Sequence, residues 1–467
     1  MNSSHESIEN LYVHLMNGKN RGDICLSGHH NVTYGDLEDL VEYWQSYLHM
    51  QGIEPDSSVA LQLPNSFTFI YLLLALWKHN CQVVLLDFRL KPAESEELMQ
   101  ICHPHYYIGP TSPVNSLAPF APDIDICVTR RYDGCKSDIS YCLIQFTSGS
   151  TGKSKVVGRT PDSLIKEIDR VLKAEGSFVA GDKVLILSSI SHTYGLLTAL
   201  LPLLRQGASI LFASSQQAKD ILYNIHGHRV TGIVGVPFHY NLLASASDFR
   251  PWDHVRIAIT AGELLPEPTL QLISTRFGIS LGQIYGMTET GIISADFPGD
   301  FPGSLGRILG GLRHKIERDE LYIFQEQSPY IFDRLPERYQ DGWLRTFDIA
   351  YMDEYDHTLH ICGRADSLLI VGGLKVNLTE VEDILKLHPA IHEVVITQSG
   401  QQEIEAYISG DSSLSRNEVL QWCTEQMANY KIPNKIFFLP SLPRTATQKL
   451  VRNRQKLQEL TAGLEQF

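Results

Sequence analysis

The chain has 467 residues, 43% hydrophobic and 20% charged, an ordinary globular composition that is long enough for more than one domain. A net charge of -14 argues against a nucleic-acid partner, although it leaves room for a local basic site that holds a phosphate. The apolar run over 67–77 is too short for a transmembrane segment, the opening MNSSHESIEN lacks a signal-peptide layout, and eight scattered cysteines without a C-x-x-C pair read as free thiols in a reducing, cytoplasmic setting.

The first third alternates helical and strand patterns. Thr33-Tyr34-Gly35-Asp36-Leu37 opens a helix to about His49, with Leu37, Leu40, Val41, Trp44 and Leu48 on one face. Residues 59–63 predict a short strand, and Pro64-Asn65-Ser66 precedes a helix to about Lys78. Residues 81–86 predict a buried strand, and Asp87-Phe88-Arg89-Leu90-Lys91-Pro92 a loop into another helix, carrying fold information rather than chemistry. Strands alternating with helices imply an α/β fold with mostly parallel sheets covered on both faces. Cys102-His103-Pro104-His105 has metal-ligating residue types but no second ligand cluster, so it reads as structural.

Residues 141–146 predict a strand entering Thr147-Ser148-Gly149-Ser150-Thr151-Gly152-Lys153-Ser154-Lys155. Glycines let backbone N–H groups turn toward one point; hydroxyls add donors and the two lysines add charge. That inventory suits the terminal phosphates of a nucleotide. It is not a P-loop, because Thr147 stands where the first glycine belongs, which argues against a conventional kinase or NTPase. Val156-Val157-Gly158 reads as a return strand, and a helix starts only at Thr160-Pro161, with a hydroxyl cap and proline at its first position. The element is a strand–loop–strand clamp.

Residues 183–190 predict a strand ending in Ser191-His192-Thr193-Tyr194-Gly195, and ligands in such sheets sit beyond strand carboxyl ends. Residues 231–237 predict another, closing on a pocket-wall loop at Val236-Pro237; residues 257–260 lead into Ala261-Gly262-Glu263. Ile284-Tyr285-Gly286-Met287-Thr288-Glu289-Thr290-Gly291 combines a ring able to stack on a base, a hydroxyl able to donate to a phosphate, and a carboxylate that is a hard ligand for Mg2+. Asp341-Gly342-Trp343-Leu344-Arg345-Thr346-Phe347-Asp348 and Gly363-Arg364-Ala365-Asp366 follow. A hairpin over 368–376 and a helix from Thr379-Glu380 open a small α+β domain near 364, which ends with Leu442-Pro443-Arg444-Thr445-Ala446-Thr447-Gln448-Lys449 and Arg452.

These strings resemble the motifs of the adenylate-forming superfamily, which holds acyl-CoA synthetases, peptide-synthetase adenylation domains and luciferase-like enzymes. The likeness covers nearly the whole chain. It implies an N-terminal adenylation domain over 1–363 and a mobile C-terminal domain over 364–467. It implies that Thr147, Ser148, Gly149, Ser150, Thr151, Gly152, Lys153 and Lys155 hold the phosphates of ATP. AMP would be held by Gly262, Glu263, Tyr285, Gly286, Thr288, Asp348 and Arg364. In that set Gly262 lies against the adenine plane and Tyr285 stacks on it. Asp348 holds the ribose hydroxyls and Arg364 is the second ribose contact. Glu263 reads equally well as a solvated side chain.

The same resemblance makes Glu289 the ligand of Mg2+, and Lys449 the residue that contacts the substrate carboxylate and the bridging oxygen. His192, Thr193, Val236, Pro237 and Ile284 line the acid pocket, with His192 gating it. Asp366 is the hinge, and Gly372 and Gly373 line a pantetheine tunnel. The implied reaction joins a small carboxylic acid to ATP as acyl-AMP, then passes the acyl group to the phosphopantetheine thiol of coenzyme A or of a stand-alone carrier protein. Neutral Thr193 argues against an α-amino acid, since a desolvated ammonium needs a paired charge. Four positions depart from the family's pattern: Ser154, Phe347, Ile370 and Gln448. They motivate an alternative, an impaired relative that binds an acid or acyl-adenylate, although every residue with a direct chemical role remains.

Overall fold

A computed structural model describes residues 7–112, 119–135, 141–147, 155–247, 250–263, 265, 267–332, 335–365, 368–371, 374–399, 403–445 and 449–461. Two large sheets carry the N-terminal part. The nine-stranded sheet runs, in spatial order, Arg307–Ile308, Gly291–Ala295, Gly282–Met287, Ile257–Ala261, Gly232–Gly235, Lys183–Ile186, Ser209–Phe212, Ile24–Ser27, Asn31–Thr33. The strands from Gly282–Met287 to Ile24–Ser27 are parallel, and the outer pairs are antiparallel. The six-stranded sheet runs Ile126–Arg130, Tyr106–Pro110, Ser58–Leu61, Gln82–Leu85, Leu143–Thr147, Lys155–Arg159, with its central four strands parallel.

The helix Phe67–Lys78 reads FTFIYLLLALWK, and every residue through Trp77 is buried. A helix apolar on all sides belongs in a core, and this one shares an apolar cluster with Leu26 and Ile186 of one sheet and Val59 and Leu143 of the other. Ser66 caps it by accepting from the Phe69 N–H. At its far end Trp77 Nε1 donates to the carbonyl of Cys142 at 3.0 Å, which anchors the start of the strand Leu143–Thr147. His105 turns Nδ1 to the Ser58 N–H at 3.1 Å, a structural role.

A five-stranded antiparallel sheet follows: His314–Glu317, Glu320–Phe324, Trp343–Met352, Tyr339–Gln340, and Leu359–Arg364 paired to the long third strand. The remaining chain holds the hairpin Leu368–Val371 and Leu374–Asn377. A three-stranded sheet then forms from Ile391–Ser399, Glu403–Gly410 and Lys435–Phe438, with helices Leu378–Lys386 and Arg416–Gln426. Its two apolar clusters draw only on residues 369–457. The α/β architecture with a smaller α+β part is the one expected.

One local expectation changes here. The strand expected over 183–190 stops at Ile186. Asn65 is the cause: its Oδ1 accepts from the Ser189 hydroxyl at 3.0 Å and the Ile190 N–H at 3.2 Å, drawing the chain out of the sheet. The apolar stretch after His192 begins as a π-helical turn, Tyr194–Leu200, before the α-helix Leu201–Gln206. Among the described residues no helix is long and apolar enough to cross a membrane.

Candidate active site

The clamp is two antiparallel strands, Leu143–Thr147 and Lys155–Arg159, with Thr147 opposite Lys155. Ser148, Gly149, Ser150, Thr151, Gly152, Lys153 and Ser154 lie outside the described residues. The helix behind the clamp is Pro161–Lys173, and the Thr160 hydroxyl accepts from the Ser163 N–H, as expected. Buried Arg159 pairs with Glu167 at 2.5 Å, and Glu167 accepts from the Ile292 N–H at 3.0 Å. This carboxylate therefore ties these strands to the hairpin of Gly282–Met287 and Gly291–Ala295. Gly291 is required there: φ is +71°, and a Cβ would sit 2.1 Å from a Glu167 oxygen.

That hairpin is Gly282–Met287 and Gly291–Ala295, with Thr288, Glu289 and Thr290 at its turn. Glu289 is 5% exposed. Tyr330 donates its O–H to Glu289 Oε1 at 3.1 Å, and Gln325 Nε2 donates to the Glu289 carbonyl at 2.8 Å. The second carboxylate oxygen has no hydrogen-bond partner among the described residues. A buried carboxylate with one free oxygen is a donor that fits a hard divalent cation. Thr288 Oγ1 lies 3.4 Å from Thr193 Oγ1, which donates to Gln145 Oε1 at 3.2 Å. Residues from three separate segments thus meet at Thr288. Gly286 packs so closely that a Cβ would lie 2.5 Å from the Gly291 carbonyl oxygen.

Asp348 and Arg364 face each other across paired strands. Arg364 Nη1 donates to Asp348 Oδ1 at 3.1 Å, and the Tyr285 O–H donates to Oδ2 at 2.5 Å. Burial first, and the Asp348 charge second, push the Tyr285 phenol well above its ordinary value, so it stays a donor. The ring expected on adenine is therefore also tied through its hydroxyl to the expected ribose acceptor. Phe347, in the family's glycine position, has φ +65°. A bulky residue is uncommon in that left-handed region. Its ring is flanked by the guanidinium groups of Arg338 at 4.6 Å and Arg345 at 4.2 Å, which offsets the strain.

At the other end of the site, His192 Nε2 lies 3.1 Å from Asp87 Oδ2 and 3.3 Å from Arg89 Nη2. Arg89 donates to both oxygens of Asp87, at 3.0 and 3.1 Å. The D-F-R-L loop, read from sequence as carrying no chemistry, supplies the groups that orient His192. Burial alone would raise the Asp87 carboxyl, but hydrogen bonds from His192 and Arg89 hold it well below the usual range. The Tyr194 hydroxyl donates to the carbonyls of Gly235 and Ile259 at 3.2 and 3.0 Å, fastening the π-helical turn to two strand ends. Ile284 is buried at the start of the neighbouring motif.

Val236 and Pro237, expected in a loop, instead begin the helix Pro237–Ala244, with proline at the position that lacks a hydrogen-bond partner anyway. Together with Ala261, Gly262 and Glu263 they line a cleft closed on its far side by Glu393, Arg444 and Lys449. Lys449 rests on Gly262: φ there is +99°, and a Cβ would meet Lys449 Cε at 3.0 Å. Lys449 as a whole is exposed while its ammonium end lies against the cleft, and that local burial lowers its pKa, opposed by the Glu263 charge. Glu263 is half-buried beside the cleft, and its charge is felt at Lys449. Asp366, Gly372 and Gly373 lie outside the described residues.

Asp87, Arg89, Gln145 and Tyr330 were not singled out from sequence. A polar Gln145 inside an apolar strand was the one readable signal among them. Among the described residues the groups offer a buried carboxylate with an unengaged oxygen at Glu289, an Asp348 carboxylate held by Arg364 and Tyr285, and an ammonium over a cleft.

The profile of the family described as AMP-binding enzyme matches residues 16–325, and that of the AMP-binding enzyme C-terminal domain matches residues 380–449. A 2-succinylbenzoate–CoA ligase of Bacillus subtilis is 27% identical over 464 residues, covering 91% of this chain and 93% of the relative. Among solved structures, the O-succinylbenzoate coenzyme A synthetase of Bacillus subtilis with AMP superposes with a TM-score of 0.81 at 24% identity, over 96% of this chain and 98% of that one. An anthranilate CoA ligase with anthranoyl-AMP gives a TM-score of 0.79 at 22% identity, over 98% of both chains.

Proposed function

The chain belongs to the AMP-binding enzymes, and on that premise we propose that it is an ATP-dependent ligase joining a carboxylic acid without an α-amine to a thiol. A carboxylate oxygen attacks the α-phosphorus of ATP, a P–O bond forms, and pyrophosphate leaves. A thiolate sulfur then attacks the acyl carbon, and AMP leaves. The observation that carries this reading is Lys449 lying on Gly262 in the cleft between the strand ends and the C-terminal residues. An ammonium placed there offsets the charge that builds between carboxylate and α-phosphate.

The other roles rest on the resemblance of the motifs. Thr147, Lys155 and residues 148–153 cradle the phosphates. Thr288 donates to the α-phosphate, Asp348 accepts from the ribose hydroxyls with Arg364 beside it, and Tyr285 and Gly286 border the base. Glu289 is the residue that would hold Mg2+, which when bound neutralises phosphate charge. His192, Thr193, Val236, Pro237 and Ile284 form the acid pocket. We place the domain boundary at 364, where the strand Leu359–Arg364 ends, with Asp366 as the hinge and Gly372 and Gly373 along the thiol's path. Coenzyme A is the favoured acceptor because the relatives are named as CoA ligases. A carrier protein is the other acceptor to test. A panel of aryl, fatty and small acids, assayed for acid-dependent pyrophosphate exchange and then for thioester formation with coenzyme A, tests the reading. Exchange with none of them contradicts it.

A further inference from the structure

Glu289 is gripped by one segment at two points. Gln325 holds its backbone carbonyl and Tyr330 holds its carboxylate. That segment also pairs with the return strand of the phosphate clamp. Tyr330 bridges Val157 in antiparallel register, the Gly158 N–H donates to the Pro329 carbonyl at 2.9 Å, and the Ile331 N–H donates to the Val156 carbonyl at 3.2 Å. Tyr330 is 5% exposed and packs with Val157 and Leu344. Its backbone is therefore part of the clamp while its hydroxyl is part of the carboxylate's environment.

We propose that Tyr330 is a positioning residue that holds the Glu289 carboxylate at a fixed orientation and distance from the phosphate clamp, leaving one oxygen for the divalent cation. The inference rests on the reading of Glu289 as the Mg2+-binding residue. A carboxylate with a donor on one oxygen cannot rotate freely about its last bond. The phenol O–H is the donor and the carboxylate oxygen the acceptor in this contact. Groups that orient a metal-binding carboxylate typically change metal affinity about 10–100-fold when removed. Sequence offered no sign of this pair, since it depends on the clamp and the segment after Phe324 meeting in space.

The test is ATP binding by calorimetry on the full chain without any acid, so that no turnover occurs, in excess MgCl2 and again in EDTA. Wild type should bind ATP more tightly with Mg2+. Tyr330→Phe should lose about tenfold of that metal-dependent gain and keep its affinity in EDTA. In a Glu289→Gln background Tyr330→Phe should have no further effect. Tyr330→His, which keeps a flat ring and an N–H donor, should recover part of the gain. If Glu289→Gln keeps the full gain, the reading of Glu289 itself fails. If Glu289→Gln loses the gain while Tyr330→Phe keeps it, the role of Tyr330 is overturned. An equal loss of ATP affinity with and without metal, or no difference between Tyr330→His and Tyr330→Phe, also overturns it.

Discussion

Asp87 Oδ2 and His192 Nε2 lie 3.1 Å apart, joining the loop after one sheet's strand to the loop after a strand of the other sheet. Arg89 Nη2 lies 3.3 Å from the same Nε2 and also donates to Asp87, so the carboxylate and the guanidinium together fix the ring of the residue expected to gate the acid pocket.

Asp87→Asn should destabilise the fold by about 2 kcal/mol at pH 7, the size of a hydrogen-bonded charge contact. The folded carboxyl lies below its ordinary value. Its stabilisation is therefore fully present above the ordinary value of about 3.9 and fades as pH falls toward the folded value. Urea unfolding of both proteins from pH 7 downward should show the gap narrowing below about pH 4. A gap independent of pH would contradict the ion pair.

Phe347 offers a test of backbone strain. Phe347→Gly relieves the left-handed backbone but loses the two guanidinium contacts, whereas Phe347→Ala loses the contacts and keeps the strain. The glycine variant should be more stable than the alanine variant by about 1 kcal/mol. Thermal unfolding of the pair checks this, and equal stability would mean the backbone relaxes.

Lys449 should act as an ammonium. Because burial lowers its pKa, the alkaline limb of adenylation should fall below the ordinary lysine value of about 10.4. Glu263→Gln removes the charge that opposes the shift, so the limb should move to still lower pH. Glu393, Arg444 and Arg452 are the other charges near the cleft and should stay constant between the two proteins. A limb that does not move would remove Glu263 from the surroundings of Lys449.

Thr193 presents a neutral hydroxyl already engaged with Gln145. Acids without an α-amine should therefore be preferred over matched amino acids by pyrophosphate exchange. A preference for the amine would require an unpaired carboxylate elsewhere in the pocket.

The features legible in the sequence were those fixed by near neighbours. The cap of Thr160 on Ser163 spans three positions, and the clamp strands flank a single loop. Tyr285, Glu289, Asp348 and Lys449 were singled out because their strings resemble known motifs. The pairs that were not legible span long distances: Arg89 to His192 covers 103 positions and Glu289 to Tyr330 covers 41. No local pattern encodes such pairs. The overlong strand at 183–190 has the same cause, since Asn65 from a distant loop ends it.

The central claim is that this chain makes an acyl-adenylate with Lys449 and consumes it without Lys449. The direct measurement takes the two half-reactions separately in wild type and Lys449→Ala, with an acid identified by exchange. Wild type should release AMP and pyrophosphate. The variant should form acyl-AMP about two orders of magnitude more slowly, yet convert supplied acyl-AMP and coenzyme A to thioester at close to the wild-type rate. Release of ADP by wild type, or equal slowing of both half-reactions in the variant, would contradict the account.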